Sequence, residues 1–171
     1  TRLVDGLART KAKMNALRQI CQNAHADKAP ILVYTHFYGG GILDALKEGL
    51  QSGVDGIPLR IETFTGQSGD AARRDDVKSR FIAGQIDVLI GSQAICTGID
   101  GLQEACRHMV VNLLPMTHAD WVQLTGRLFR TGQKGDVKVT VPITRLEMHG
   151  ERTLSYDEMD WLRIQRKSTI S

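Results

Sequence analysis

Residues 87–114 read DVLIGSQAICTGIDGLQEACRHMVVNLL. A short apolar run at 87–90 ends in a segment rich in Gly, Ser and Thr, and a second apolar run follows at 108–114. Apolar runs of this length without polar alternation are typical of strands that are buried on both faces. Because parallel sheets are the sheets covered on both faces, this stretch predicts an α/β fold.

The same pattern extends outward from residues 87–114 in both directions. Further strands are predicted at 31–34, 59–64 and 137–143. Helical patterns fill the intervals: 7–26, 42–51, 70–82, 118–129 and 155–168. Strands that alternate with helices predict a mostly parallel central sheet with helices on both faces.

Composition allows one ordinary domain. The chain has 171 residues, of which 42% are hydrophobic and 24% charged, with a formal charge of +3. The slight positive charge permits a nucleic-acid partner without requiring one. No apolar run reaches the roughly 18 residues of a membrane span, so no membrane partner is expected. Because the chain opens at Thr1 rather than Met, we expect a fragment of a larger protein.

The most informative polar segment is QLTGRLFRTGQ at 123–133. If residues 118–129 are helical, Gln123, Arg127 and Arg130 lie within about 60° of one another around the axis. The apolar residues fall on a separate face that can pack on the sheet: Trp121, Leu124 and Leu128. One reading is a solvated basic face. The other is a pair of guanidiniums presented together to an anion.

A second polar segment follows the strand at 87–90. It contains Ser92, Thr97, Gly98 and Asp100. Open parallel sheets bind ligands beyond the carboxyl ends of their strands, where this segment is predicted to lie. An ordinary strand-to-helix turn capped by Asp100 is the alternative interpretation.

The first segment resembles motif VI of superfamily-2 helicases, Q-x-x-G-R-x-x-R, and its extension R-x-G-Q is similar to the Swi/Snf-type translocases. The resemblance implies that Arg127 and Arg130 are arginine fingers that stabilise charge on the transferred phosphoryl group of ATP. It also implies that Gln123 and Gly126 couple to the nucleotide. If the arginines do not reach nucleotide, pairing with Asp100 or Asp120 within the domain is the alternative.

Other helicase motifs follow in the family's order. The segment ending at Asp100 resembles motif V, which implies that Gly98 and Asp100 contact nucleotide. Residues 31–37 resemble motif IV, and 64–81 resemble a G-x(n)-R-x(n)-F element. The nucleic-acid contacts implied by these resemblances are Thr35, Thr65, Gly66, Arg73, Ser92, Gln93 and Thr97.

The resemblance implies a RecA-like three-layer sandwich spanning residues 1–171. Its core is expected at about 28–145, after a leading helix at 1–27 and before a tail helix at 146–171, with a flexible join at 145–155. The parent would be an ATP-dependent translocase on double-stranded DNA without sequence preference, with RNA remodelling as the alternative. ATP and Mg²⁺ would be bound mainly by an N-terminal RecA-like domain of the same protein, and no metal site is expected in this chain.

The chain lacks the Walker A sequence G-x-x-x-x-G-K-[ST]. Residues 157–160, Asp-Glu-Met-Asp, mimic a Walker B box, but no apolar strand precedes them, and Ser155 with Glu158 reads as a helix capping box. This chain alone is therefore predicted to be inactive as an ATPase. The alternative function is a stand-alone flavodoxin-like nucleotide-binding or regulatory module. The expected location is the cytoplasm, beside the nucleoid, in a bacterium or phage, and the nucleus in a eukaryote.

Overall fold

A computed structural model describes residues 11–37, 39, 41–51, 58–64, 71–98, 100–148 and 150–168. Within them the chain forms, in order, α1 (Lys11–Ala26), β1 (Ile31–Thr35), α2 (Ile42–Gln51), β2 (Ile61–Phe64), α3 (Ala71–Ile82), β3 (Val88–Gly91), α4 (Gln93–Gly98), α5 (Leu102–Ala105), β4 (His108–Leu113), α6 (His118–Thr125), β5 (Lys138–Thr140), β6 (Leu146–Met148), β7 (Glu151–Thr153) and α7 (Tyr156–Ser168). None of these helices is long and apolar enough to cross a membrane.

The first five strands form one parallel sheet in the order β2-β3-β1-β4-β5. Ile31 of β1 lies opposite Val88 of β3 on one side and His108 of β4 on the other. This arrangement confirms the predicted α/β class. The order among the described strands differs from the flavodoxin-like order 2-1-3-4-5. The two remaining strands, β6 and β7, pair antiparallel in a separate hairpin.

Helices cover both faces of the sheet, because successive strand residues point to opposite sides. On β1, Ile31 and Val33 pack with the apolar residues of α1 and α2. Leu32 and Tyr34 pack on the other side, with residues of α3, α5, α6 and α7. The three-layer arrangement is thus confirmed, and α1 and α7, which lie outside residues 28–145, contribute to its core.

Three predicted segments differ in the structure. The helix expected over 118–129 ends at Thr125, and the strand expected over 137–143 contains only residues 138–140. The expected flexible join forms the β6–β7 hairpin, whose turn includes Gly150 at φ +80°. The tail is therefore helical only from Tyr156. Of the leading helix, residues 1–10 lie outside the described residues.

A buried ion pair links α1 to α7. Lys13 Nζ donates to Asp157 Oδ1 at 2.8 Å, and both side chains are less than 5% exposed. The other carboxylate oxygen accepts from the backbone N–H of Thr144 at 2.9 Å. Burial lowers the pKa of Lys13, although Asp157 opposes that shift. Asp157 is therefore occupied inside the domain and does not present a Walker B carboxylate.

Candidate active site

Several of the predicted site residues lie at the carboxyl edge of the sheet. Thr35 ends β1, Ser92 follows β3, and Asp100 lies beyond α4. The arginine segment follows α6, which begins shortly after β4 ends at Leu113. Parallel pairing of these neighbouring strands brings segments that are far apart in sequence to one edge.

Two guanidiniums converge on one carboxylate oxygen at this edge. Arg127 Nη1 donates to Asp100 Oδ1 at 3.2 Å, and Arg130 Nη1 donates to the same oxygen. The Asp100 side chain is 76% exposed, so water competes for this pairing and its contribution to stability is small. Two convergent guanidiniums fit the oxygens of a phosphate group, whose geometry and charge they match. The residues present therefore fit the phosphates of ATP.

The arginines lie on a turn rather than on a regular helix. After Thr125 the backbone tightens, with hydrogen bonds from Leu128 N to Thr125 O and from Arg130 N to Leu128 O. A Cβ at Gly126 would lie 2.9 Å from the carbonyl oxygen of Val122, so only glycine fits without a shift. The predicted helix does not extend over residues 126–130, yet Arg127 and Arg130 both reach Asp100 Oδ1.

Gln133 fixes this turn to the rest of the domain. Its Nε2 donates to the carbonyl oxygens of Cys106 and Leu128, each at 3.2 Å. Leu128 itself is fully buried in the core. In the sequence, the Gly-Gln ending of the motif indicated only the family resemblance, and the anchoring role of Gln133 was missed.

Gln93, predicted to contact nucleic acid, belongs to a polar network inside the domain. Its Oε1 accepts from the buried Tyr34 hydroxyl at 3.1 Å, and its Nε2 donates to Asp120 Oδ1 at 3.4 Å. Asp120 also accepts from the Thr117 hydroxyl at 2.7 Å, and its backbone N–H donates back to that hydroxyl. This network links the ends of β1, α4 and α6, and sequence reasoning missed Tyr34 as its member.

The remaining predicted site residues differ in their exposure to solvent. Thr35 and Ser92 are buried, and the Thr35 hydroxyl donates to the carbonyl oxygen of Phe37 at 3.1 Å. Gln123 and Arg73 are exposed. Thr97 and Gly98 lie in α4, and Thr65 and Gly66 lie outside the described residues. Their assignments to ligands stay predictions.

A parallel sheet of this strand order, covered on both faces by helices, is the fold of RecA-like helicase C-terminal domains. The chain belongs to the helicase conserved C-terminal domain family, whose model matches residues 12–132.

Relatives come from more than one helicase branch. The chain is 28% identical over 131 residues to DEAD-box ATP-dependent RNA helicase 41 of Arabidopsis thaliana. That match covers 77% of this chain and 24% of the relative, so the chain spans about a quarter of that protein.

Solved structures show the same fold at low identity. The C-terminal part of the Fun30 ATPase domain superposes with a TM-score of 0.65 at 17% identity, covering 95% of this chain and 56% of that one. The C-terminal domain of the DEAD-box protein Dbp5 gives 0.62 at 18% identity, covering 93% and 79%. The Pyrococcus furiosus Hef helicase domain gives 0.55 at 19% identity, covering 75% and 25%.

Proposed function

We propose that this chain is the second RecA-like domain of an ATP-dependent superfamily-2 enzyme of the Swi/Snf-like branch, which moves along double-stranded DNA. The observation that carries the proposal is the convergence of Arg127 and Arg130 on one oxygen of Asp100. Two cations that meet at an exposed point are what phosphoryl transfer requires of the opposing domain. The R-x-G-Q ending favours the Swi/Snf-like branch.

In this proposal, the N-terminal RecA-like domain of the same protein binds most of the nucleotide. Mg²⁺-ATP supplies the phosphoryl group that is transferred to water. When the two domains close, Arg127 and Arg130 exchange Asp100 for phosphate oxygens, and the released Asp100 and the backbone at Gly98 are free to contact the ribose. Gln123 and Gly126 couple this exchange to domain closure. The exchange is easy because the Asp100 pairing is exposed.

Nucleic acid would be held through its backbone. Arg73 is exposed in the first turn of α3 and would be one of the phosphate contacts. Thr35, Thr65, Gly66, Ser92, Gln93 and Thr97 complete the proposed contact set. Thr35 and Ser92 are buried, so their contact requires a shift of the surrounding loops. Phosphate contacts carry little sequence information, and their strength falls with salt. Acting on DNA, the parent would work at the bacterial nucleoid or in the eukaryotic nucleus.

A second candidate is movement on RNA. It is favoured by the 28% identity to an Arabidopsis thaliana protein named as a DEAD-box RNA helicase. The parallel sheet and the arginine pair are compatible with both DNA and RNA, because neither feature distinguishes deoxyribose from ribose. Stimulation of ATP hydrolysis by duplex DNA or by RNA therefore separates the two candidates.

The test uses the full-length protein encoded by the open reading frame that contains this chain. We expect ATP hydrolysis stimulated more by duplex DNA than by duplex or single-stranded RNA of matched length. Stronger stimulation by RNA would overturn the DNA assignment. No nucleic-acid stimulation in an enzyme that hydrolyses ATP would overturn both candidates.

The chain alone supplies a second test. Without a Walker A sequence it should release no phosphate from Mg²⁺-ATP above the buffer blank. Its binding to duplex DNA should be weak and should weaken further as salt is raised. Robust turnover that the double variant Arg127→Ala/Arg130→Ala abolishes would show that this chain is a complete ATPase and would overturn the proposal.

A further inference from the structure

An exposed apolar groove runs between the β6–β7 hairpin and α7, at a distance in sequence from the arginine segment. Three large apolar side chains line it: Leu154, 54% exposed, Met159, 48%, and Leu162, 41%. Two adjoining clefts share Leu154 and Leu162 and have volumes of about 400 and 330 Å³. We call this surface the α7 groove.

The α7 groove lies largely outside the face of α7 that packs on the domain. Ile164 is buried in the core, whereas Trp161 meets Trp121 edge-on with ring centroids 5.2 Å apart and also lines one of the two clefts. Met159, Leu162 and Arg166 are spaced i, i+3 and i+7, so they form a second stripe along the helix. Exposed apolar side chains that are rimmed by charged residues in this way are typical of surfaces that bind another protein.

The charge around the α7 groove is predominantly positive. Four arginines and one acid line the two clefts: Arg145, Arg152, Arg163, Arg166 and Glu158. Arg152 pairs with Glu158 at 2.7 Å, and Arg163 pairs with Asp160 at 3.1 Å. In the described part of the chain, Arg145 and Arg166 have no ion-pair partner. Arg166 lines the larger cleft and Arg145 lines the smaller one.

We propose that the α7 groove binds an amphipathic, acidic helix of a partner protein. Leucine-like side chains of that helix fill the space around Leu154, Met159 and Leu162, and its carboxylates meet Arg145 and Arg166. A nucleic acid would pair with the arginines but would leave the three apolar side chains without apolar partners. The complementarity of both apolar surface and charge therefore favours a peptide. This site is independent of ATP hydrolysis and of the proposed function.

The experiment measures fluorescence anisotropy of a labelled helical peptide of about 16 residues, with leucines at i, i+3, i+4 and i+7 and glutamates opposite. We expect binding that weakens with salt and is lost when lysines replace the glutamates or serines replace the leucines. Leu162→Ser and Arg166→Glu should each weaken binding by about tenfold or more. The matched controls on α3, Ile82→Ser and Arg74→Glu, should leave it unchanged.

Three outcomes would overturn this proposal. The first is equal binding, or none, for the acidic, basic and serine-substituted peptides. The second is self-association of the chain that Leu162→Ser abolishes, measured by light scattering, which would make a second copy the occupant. The third is that duplex DNA displaces the peptide from the wild-type chain and also from the variant Arg127→Ala/Arg130→Ala. That result would assign the surface to nucleic acid. Circular dichroism melting curves confirm that each variant is folded.

Discussion

Arg127 Nη1 lies 3.2 Å from Asp100 Oδ1, although the two residues are on different segments of the carboxyl edge. Arg130 shares that oxygen. Both guanidiniums are therefore oriented toward one anionic point. In the proposed function, this convergence would place two cations where charge develops during phosphoryl transfer.

The first prediction concerns the arginines in the full-length enzyme. Arg130→Ala and Arg127→Ala should each lower kcat by about 10³-fold or more, because an arginine finger supplies that much in related chemistry. The KM for ATP should change only a few-fold. Arg130→Lys should restore little, since an ammonium lacks the planar fork. Arg74→Ala, on α3, is the control. Near-normal kcat for both alanine variants in folded protein would refute the finger assignment.

The second prediction concerns Asp100 in the isolated chain. Asp100→Asn should bind pyrophosphate several-fold more tightly, because the neutral amide no longer occupies the two guanidiniums as an anion does. The free energy of unfolding should change by less than about 1 kcal/mol, since the pairing is exposed. Calorimetric titration at low salt measures the affinity. Adding Arg127→Ala/Arg130→Ala should remove the gain, and an unchanged affinity in Asp100→Asn would contradict the expectation.

The third prediction concerns Gln133. Gln133→Ala should lower the free energy of unfolding by about 1–3 kcal/mol, because the carbonyl oxygen of Cys106 loses its side-chain donor and that of Leu128 keeps only the backbone N–H of Arg130. Gln133→Glu should do no better, since a carboxylate cannot donate to either carbonyl. Urea denaturation measures both. Gln123→Ala, in the same motif but exposed, is the matched control, and equal losses for Gln123→Ala and Gln133→Ala would rule out the anchoring role.

The fourth prediction concerns the buried pair between α1 and α7. Lys13→Met should lower the free energy of unfolding by about 3–5 kcal/mol, because it leaves the Asp157 carboxylate buried without its cation. The double variant Lys13→Met/Asp157→Leu should recover much of that loss. Glu62→Gln, which breaks the partly exposed pair with Arg80, should cost less than about 1 kcal/mol. Comparable losses for Lys13→Met and Glu62→Gln in denaturation curves would contradict this account.

The fifth prediction concerns acid stability. Burial alone would raise the pKa of Asp87, but hydrogen bonds from Arg60 and His25 outweigh it and lower that pKa below 3.8. A lowered pKa in the folded state adds stability that is present above the unfolded value and is lost as the pH falls through the folded value. Asp87→Asn should therefore be less stable than wild type at about pH 5, and the gap should narrow by about pH 3. Urea titrations at both pH values test this, with exposed Asp136→Asn as control, and a constant gap would contradict it.

Most of the sheet could be predicted from the sequence. The apolar runs around Leu32, Leu89 and Val110 have no polar alternation, because these strands are buried on both faces of the sheet. Helix α2 could also be predicted, because its four buried residues follow helical spacing: Ile42, Leu43, Leu46 and Leu50. Gly84, at φ +71°, ends the helical region that contains α3.

The end of α6 was harder to predict, because the apolar spacing continues through Leu128. The structure ends the helix at Thr125, and Gln133 anchors the turn that follows through its bonds to the carbonyl oxygens of Leu128 and Cys106. The β6–β7 hairpin was missed because strands of three residues carry too little alternation to be distinguished from a loop. Gly150 in its turn was the available signal.

At the candidate site, the sequence identified the arginines but not the whole network around them. Pairing with Asp100 was one of two alternatives that the residue types allowed, and distance along the chain could not choose between Asp100 and Asp120. Gln93 was assigned to nucleic acid because its neighbours resemble a helicase motif. Its bonds to Tyr34 and Asp120 depend on how β1 and α6 meet, which no local pattern encodes.

The ion pair between Lys13 and Asp157 also has a consequence for folding during synthesis. Lys13 leaves the ribosome 144 residues before its partner, and a buried lysine without its carboxylate is unfavourable. The apolar side of helix α1, including Leu17 and Cys21, is therefore expected to pack in its final position only after α7 has been synthesised.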